Sequence, residues 1–374
     1  MPYSSHFHLI ASKRLTLALY HRSNFLSSLL VLGVGGLPSG DAPNLLRTAI
    51  LGTGSIVLLF IGAVCFDLCA HAQEKTELPF FKPFRTDTAY ISAAEPWTLR
   101  LYAVNKHFNL RYGTLVSNQR MFLDPDRSIA AGLGVSRYLL ALDLGLEIGR
   151  TRQKTKALVL FSNLFYGPHN LQLNAQQYTG FSKQAQQPLT SPVFDSSLRS
   201  RLIYLSYLHY FNYTRYSSPA PLTGTQRQLR SAGSPSFGAF LLLHALSSAV
   251  PVFPDTFLPM PEWLATATRT TIFSGGIMGG YGFTFVLPKS LFVNAAAALG
   301  VSPAVTHWAD ALYNLNSQQT LGWLVQAQAA AGYHGPCYYA LITLQHVASY
   351  FPSQAVPATQ LNLEKYKIAV GRKL

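Results

Sequence analysis

Four charged residues at strand-like spacing could form a polar constellation inside a fold: Arg100, Arg111, Asp143 and Glu147. If Leu99 and Leu101 face lipid, Arg100 points the opposite way. Arg111 joins it once a change of phase is allowed near Lys106-His107. Asp143 and Glu147 then share that inner side two strands away. Opposite charges in a narrow interior must pair, because unpaired charge in a low dielectric is costly. Such a set could gate a lumen or orient a ligand. A salt-bridged filling of a small barrel is the plainer use of the same residues.

A second concentration of hydrogen-bonding groups comprises Gln226, Arg227, Gln228, Arg230, Ser231 and Ser234. It falls largely in a long link, 215–233, where a tight turn is expected, and long links in short-linked domains are often functional. The segment reads as a plug, or as a site for a partner or lipid headgroup. His244 with Ser247 and Ser248 offers the base and nucleophile of a hydrolase, but no orienting acid or amide stands out. His307, His334 and His346 are isolated and lack metal-ligand spacing. Gly279-Gly280-Tyr281-Gly282 lies inside an alternating strand with no helix after it, so it is not a phosphate loop. No catalytic residue, metal or cofactor is assigned on these grounds.

The elements that must carry these residues are strands. After residue 73 no stretch has a sustained helical period or about 18 consecutive apolar residues. Leu140, Leu142, Leu144, Leu146 and Ile148 alternate with Ala141, Asp143, Gly145, Glu147 and Gly149. Leu291, Val293, Ala295, Ala297, Leu299 and Val301 do the same, and Phe273, Ile277, Tyr281, Phe283 and Phe285 oppose Ser274, Gly276, Gly280, Gly282 and Thr284. Small residues on one face would leave holes in a dry sandwich core, whereas a lumen tolerates them. Leu171 and Leu173 stand against an uncharged polar row of Asn170, Gln172, Asn174 and Gln176.

The pattern predicts an all-β fold, an antiparallel transmembrane barrel of about twelve strands. The spans are 97–116, 127–137, 138–149, 155–166, 169–180, 200–214, 234–248, 270–286, 290–303, 320–333, 336–349 and 359–372. Phase changes are expected in the first span and near Glu364-Lys365 in the last. Short and long links alternate, as when short turns are periplasmic and long loops extracellular. Two links break the alternation: 150–154 is short on the outer side, and 215–233 is long on the inner one. Trp97, Trp263 and Trp323 are candidate interface anchors, with core packing an equal use for any one of them.

Composition agrees. Of 374 residues only 12 % are charged, while 49 % are apolar and 13 % aromatic. A soluble domain usually carries about 25 % charge. The net charge of +14 is scattered, with no basic run or nucleic-acid motif, so acidic lipid headgroups are the expected partners, nucleic acid is not, and a small solute is a further candidate. Arg47, the apolar run from Ala49 to Val64 and the Ala70-His71-Ala72 ending make 47–72 a signal peptide, cut between Ala72 and Gln73. An uncleaved transmembrane helix is the competing reading of that stretch. Residues 1–46 form an odd extension, and translation is expected to begin near Leu45 or Leu46. Export would leave Cys337 as the one cysteine, without a disulfide partner. Residues 73–96 become a periplasmic stub, and 97–374 the barrel.

Several short motifs carry a family resemblance. They are Asp87-Thr88-Ala89-Tyr90-Ile91, Leu133-Gly134-Val135-Ser136, Gln177-Tyr178-Thr179-Gly180-Phe181, Tyr210-Phe211-Asn212 with Tyr216-Ser217, the run from Gln226 to Ser234, Gly279-Gly280-Tyr281-Gly282 and Ala331-Gly332-Tyr333. In this order and spacing the chain resembles a family of Bacteroidetes-type outer-membrane proteins known as a domain of unknown function. The resemblance implies a signal peptide, a periplasmic stub and an outer-membrane barrel, and brings no catalytic residues. The chain departs from outer-membrane barrels in ending on Leu374 rather than an aromatic residue. The expected role is a narrow pore, a small-solute carrier or a structural barrel of the Gram-negative outer membrane. A membrane-embedded lipid-modifying hydrolase and a soluble periplasmic β-protein are the alternatives.

Overall fold

Alternating faces hold the chain extended, and each extended segment finds the next beside it. The computed structural model describes residues 84, 86–92, 97–113, 120–125, 128–137, 140–148, 155–185, 191–253, 261–312, 315–353 and 357–374. The expected extension at 1–46, signal peptide at 47–72, cleavage point at Ala72–Gln73 and most of the stub lie outside them. The strands are β1 (Thr98–Gly113), β2 (Arg120–Asp124), β3 (Ser128–Arg137), β4 (Leu140–Ile148), β5 (Lys156–Tyr166), β6 (His169–Ala185) and β7 (Val193–Tyr210). After them come β8 (Ala232–Ser247), β9 (Arg269–Leu287), β10 (Leu291–Ala309), β11 (Leu315–His334), β12 (Tyr338–Phe351) and β13 (Ala358–Lys373). Two one-turn helices, α1 (Ala220–Thr223) and α2 (Glu262–Ala265), sit in the links after β7 and β8.

Pairing is antiparallel throughout, and β13 returns to β1 in unbroken register from Thr98↔Lys373 to Gly113↔Ala358. That closure, together with the apolar outer face, makes a transmembrane barrel, whose strand edges are paired except where β4 and β5 part. The twelve expected strands all occur, and β2 is additional. It runs down the side of β1 with Leu110↔Leu123, and β3 continues the descent one residue out of step, with Lys106↔Ser128. The other edge of β2 bonds β6, from Met121↔Ala185 to Asp124↔Ser182. The hairpin of β4 and β5 therefore sits beneath a bridge of β2 and β6. Among the described residues, β4 and β5 pair only where Leu140, Ala141 and Leu142 meet Leu164, Asn163 and Ser162.

Neither expected change of phase occurs, since β1 and β13 keep one register along their whole length. The irregular step is in β6, between Thr179 and Phe181, where Gly180 takes a positive φ.

The outward face is apolar: Leu101, Leu133, Ile277, Leu299, Val301, Ile342 and Ile368 are exposed. The inward residues between them are small or uncharged, as at Ser274, Thr284, Asn294 and Ser302. Trp97 and Trp323 lie on the outward face, whereas Trp263 packs against the interior cluster. Leu299, 68 % exposed and midway along β10, tests the outward assignment. Leu299→Arg should cost about 2–4 kcal/mol in unfolding from lipid vesicles, as expected for a cation at mid-bilayer depth.

Candidate functional site

The interior charges come from three neighbouring parts of the wall. Arg100 on β1 is 2 % exposed and lies across Gly134 of β3, where a Cβ would stand 2.4 Å from both Arg100 Nε and Asp143 Oδ1. Glycine there leaves room for the ion pair. Arg100 Nε donates to Asp143 Oδ1 at 2.8 Å, and its Nη2 lies 2.6 Å from the same oxygen. A further guanidinium N–H reaches Ser136 Oγ. Lys367 of β13 donates to Asp143 Oδ2 at 2.6 Å. Both carboxylate oxygens of Asp143 are thus engaged. Such charge-assisted pairs are the strong hydrogen bonds of a buried site.

Lys365, one inward step along β13, completes the group. It is 8 % exposed, and its Nζ lies 4.1 Å from the ring centre of Phe161 on β5. Lys106 of β1 lies over the same ring at 5.3 Å. Arg100, Asp143, Phe161, Lys365 and Lys367, with Ala141, Asn163, Thr343 and Gln345, line a cavity of about 20 Å³, room for a water or two. Neither Lys365 nor Lys367 was among the expected site residues, because the supposed phase change near Glu364 hid them. Read with one phase, Leu363, Lys365, Lys367 and Ala369 alternate with Glu364, Tyr366, Ile368 and Val370, which places both lysines inside.

Arg111 corrects the sequence reading. It is exposed on the outward side of β1, because the strand does not change phase. Its Nε donates to Asn109 Oδ1 at 2.7 Å, and its guanidinium lies 5.3 Å from the ring centre of Phe122. Asn109 bonds Asp124, while His107 and His346 approach Glu364 at 3.8 and 3.6 Å. This outward polar patch follows the apolar residues of β1, β12 and β13 toward the long-loop end. The side chain of Glu147 lies outside the described residues.

The 215–233 link folds into the short-turn end of the barrel. Gln228 holds it: Oε1 accepts from Ser217 N at 2.9 Å, and Nε2 donates to the carbonyls of Arg215, Arg230 and Tyr90 at 2.6, 2.9 and 3.2 Å. Ile91 and Gln228 form a β-bridge, which ties the segment before β1 to the link. Gln226 accepts from Ser217 Oγ, Arg227 N donates to Ser92 Oγ, and the Arg230 guanidinium lies 5.8 Å from the Tyr90 ring centre. Ser231 Oγ accepts from Val286 N, and buried Ser234 accepts from Asn212 N. Leu222 and Thr223 of α1 form one wall of the charged cavity. Tyr216 reaches Asn294, and burial pushes its phenol up to about 12.

Gly224 closes α1 at φ +72°, with a Cβ position 2.6 Å from the ring of Tyr339. Gly224→Ala is therefore expected to cost about 1–3 kcal/mol through left-handed strain, with further loss from the clash. Limited proteolysis should detect it as faster cleavage within 215–231.

Toward the opposite end, described residues of the link after β8 pack into the interior. Val252, Phe253 and Leu264 are buried there with Tyr112 and Trp308, and the Tyr112 and Phe253 ring centres lie 5.1 Å apart. Other sequence candidates remain separate. His244 bonds Ser200 Oγ at 3.0 Å on the inner face, Ser247 lies on the other face, and Ser248 bonds Asp195. His334 is buried beside Phe292, and His307 bonds Ser317. Among the described residues no cluster of three or more His, Cys, Asp or Glu side chains could hold a metal ion.

A family profile described as a domain of unknown function, DUF4421, matches residues 85–371. The chain belongs to that family. The match spans the barrel and the Asp87–Ile91 segment docked on the plug. A search of curated proteins finds no match. Among solved structures, the outer-membrane protease OmpT of Escherichia coli aligns at 5 % identity over 75 % of this chain and 98 % of its own, with a TM-score of 0.37. The Neisserial surface protein A aligns at 9 % over 76 % and 100 %, with a TM-score of 0.21. The Pseudomonas putida toluene transporter TodX aligns at 7 % over 75 % and 91 %, with a TM-score of 0.23. Likeness at this level transfers no activity to the DUF4421 chain, whose architecture rests on its own closed sheet.

Proposed function

We propose that this protein is a non-enzymatic outer-membrane barrel, closed at rest, that holds a small charged chamber instead of an open channel. The observation that carries the reading is the 215–233 link, drawn into the barrel mouth and tied down by the four hydrogen bonds of Gln228. An open pore would have a water-filled axis. Here the interior runs from the plug through the ion-paired chamber to the apolar cluster around Tyr112 and Trp308. The outward band suits contact with lipid, and the short turns belong on the periplasmic side by the usual barrel rule. Bilayer lipid is then the obligatory partner, and a small solute the cargo such a chamber could hold. In a planar bilayer the full chain should insert and stay electrically silent. Steady ion flow through the unaltered protein would overturn the reading.

A further inference from the structure

Among the described residues that line the chamber, the positive charge exceeds what the carboxylate of Asp143 can neutralise. Arg100, Lys365 and Lys367 line it, and Asp143 already gives one oxygen to Arg100 and the other to Lys367. Lys365 is more than nine-tenths buried, with its ammonium against the face of Phe161. A cation–π contact offsets only part of the cost of desolvating an ammonium. Excess buried positive charge calls for a counter-ion. Asn163, Thr343 and Gln345 add neutral polar groups around the free space.

The wall supplies a route to this space. The hydrogen-bonded seam between β4 and β5 ends at Leu142 and Ser162. The next residues along each strand, Asp143 and Phe161, both line the chamber. The seam thus ends beside the chamber, while the plug covers the short-turn end.

We propose that the chamber is a binding site for a phosphate group, with Lys365 as its principal cation and the unpaired edge between β4 and β5 as its entry. A tetrahedral oxyanion accepts hydrogen bonds in several directions at once, which suits lysines and amides converging from β1, β5, β12 and β13. It would take the place of the one or two waters that the cavity has room for. The group could be inorganic phosphate or the headgroup of a lipid, and the test separates them. The proposal rests on the reading of a closed interior only for its entry route.

The experiment uses the full chain in a phosphate-free, uncharged detergent, compared with Lys365→Met, which keeps the length of the side chain and removes its charge. Thermal unfolding, read by the heat-dependent shift in gel mobility, is followed with inorganic phosphate. A parallel series adds phosphatidylglycerol, or an uncharged monoacylglycerol as control. A ligand that binds only the folded state must raise the unfolding temperature. Stabilisation by inorganic phosphate identifies a free-anion site, and stabilisation by phosphatidylglycerol alone identifies a headgroup site. In either case Lys365→Met should weaken binding by at least about tenfold, the effect of losing a charge-assisted bond. Lys365→Arg should retain it. The proposal fails if neither phosphate source stabilises the protein, or if Lys365→Met responds as the unaltered protein does. A conducting but phosphate-binding barrel would sink the closed-barrel reading alone. A silent barrel indifferent to phosphate would sink this inference alone.

Discussion

Asp143→Ala is expected to destabilise the barrel by about 3–5 kcal/mol, the usual loss when one partner of a buried ion pair is removed. The carboxylate is the shared acceptor of Arg100 and Lys367, at 2.6 to 2.8 Å. Without it two buried cations face each other, with Lys365 one inward step away on β13. Urea unfolding in lipid vesicles measures the effect, and a loss below about 1 kcal/mol would show that water reaches and screens these charges. The triple change Asp143→Ala, Arg100→Met and Lys367→Met provides the control. Replacing a whole buried ion cluster by apolar side chains is often close to neutral, so most of the stability should return.

Gln228→Ala is expected to release the plug and turn a silent barrel into one that conducts in bursts. The amide of Gln228 meets one backbone N–H and three backbone carbonyls. Each buried polar group left without a partner costs about 1–3 kcal/mol. Water entering from the short-turn end would recover part of that, and its entry is itself the opening. Two readings are needed together: current in a planar bilayer and protease sensitivity within 215–231. Silence with full resistance would mean that α1 and the Ile91 bridge hold the link unaided. Because these contacts lie outside the strand ladders, the barrel should keep its heat-modifiable mobility.

The two variants act on different layers of the interior. Asp143→Ala strikes the charge balance of the wall, and Gln228→Ala the segment seated beneath it. Leu222 and Thr223 join the layers, since they line the chamber from the plug side. A moving plug would therefore also change what the chamber can hold.

The local part of this architecture was written in the sequence. A strand's faces follow from period two alone, so the lipid-facing rows of β9 and β10 and the polar row of β6 could be read without knowing any partner. The inward position of Arg100 and Asp143 follows from their strand neighbours in the same way. The weight of the 215–233 link was legible too, because its length conflicts with the turn that should stand there. The family match over 85–371 agrees with the motif order from Asp87 to Tyr333.

Tertiary structure decided what meets what. Arg111 faces outward because β1 keeps register with β13 over its whole length, a constraint held in a strand about 245 residues away and invisible to a local pattern. The same closure brings Lys367 to Asp143, and no spacing along the chain announces a pair 224 residues apart. The seat of β2 between β1 and β6, past which β4 and β5 pair over only a short stretch among the described residues, joins segments far apart along the chain that no local pattern links. Trp308 faces inward by the period of β10, but what covers it there, Val252, Phe253 and Leu264 of the link after β8, is set by tertiary packing. Period sets the face of a residue. Closure of the ring sets its partners, and hence the chemistry the chamber can do.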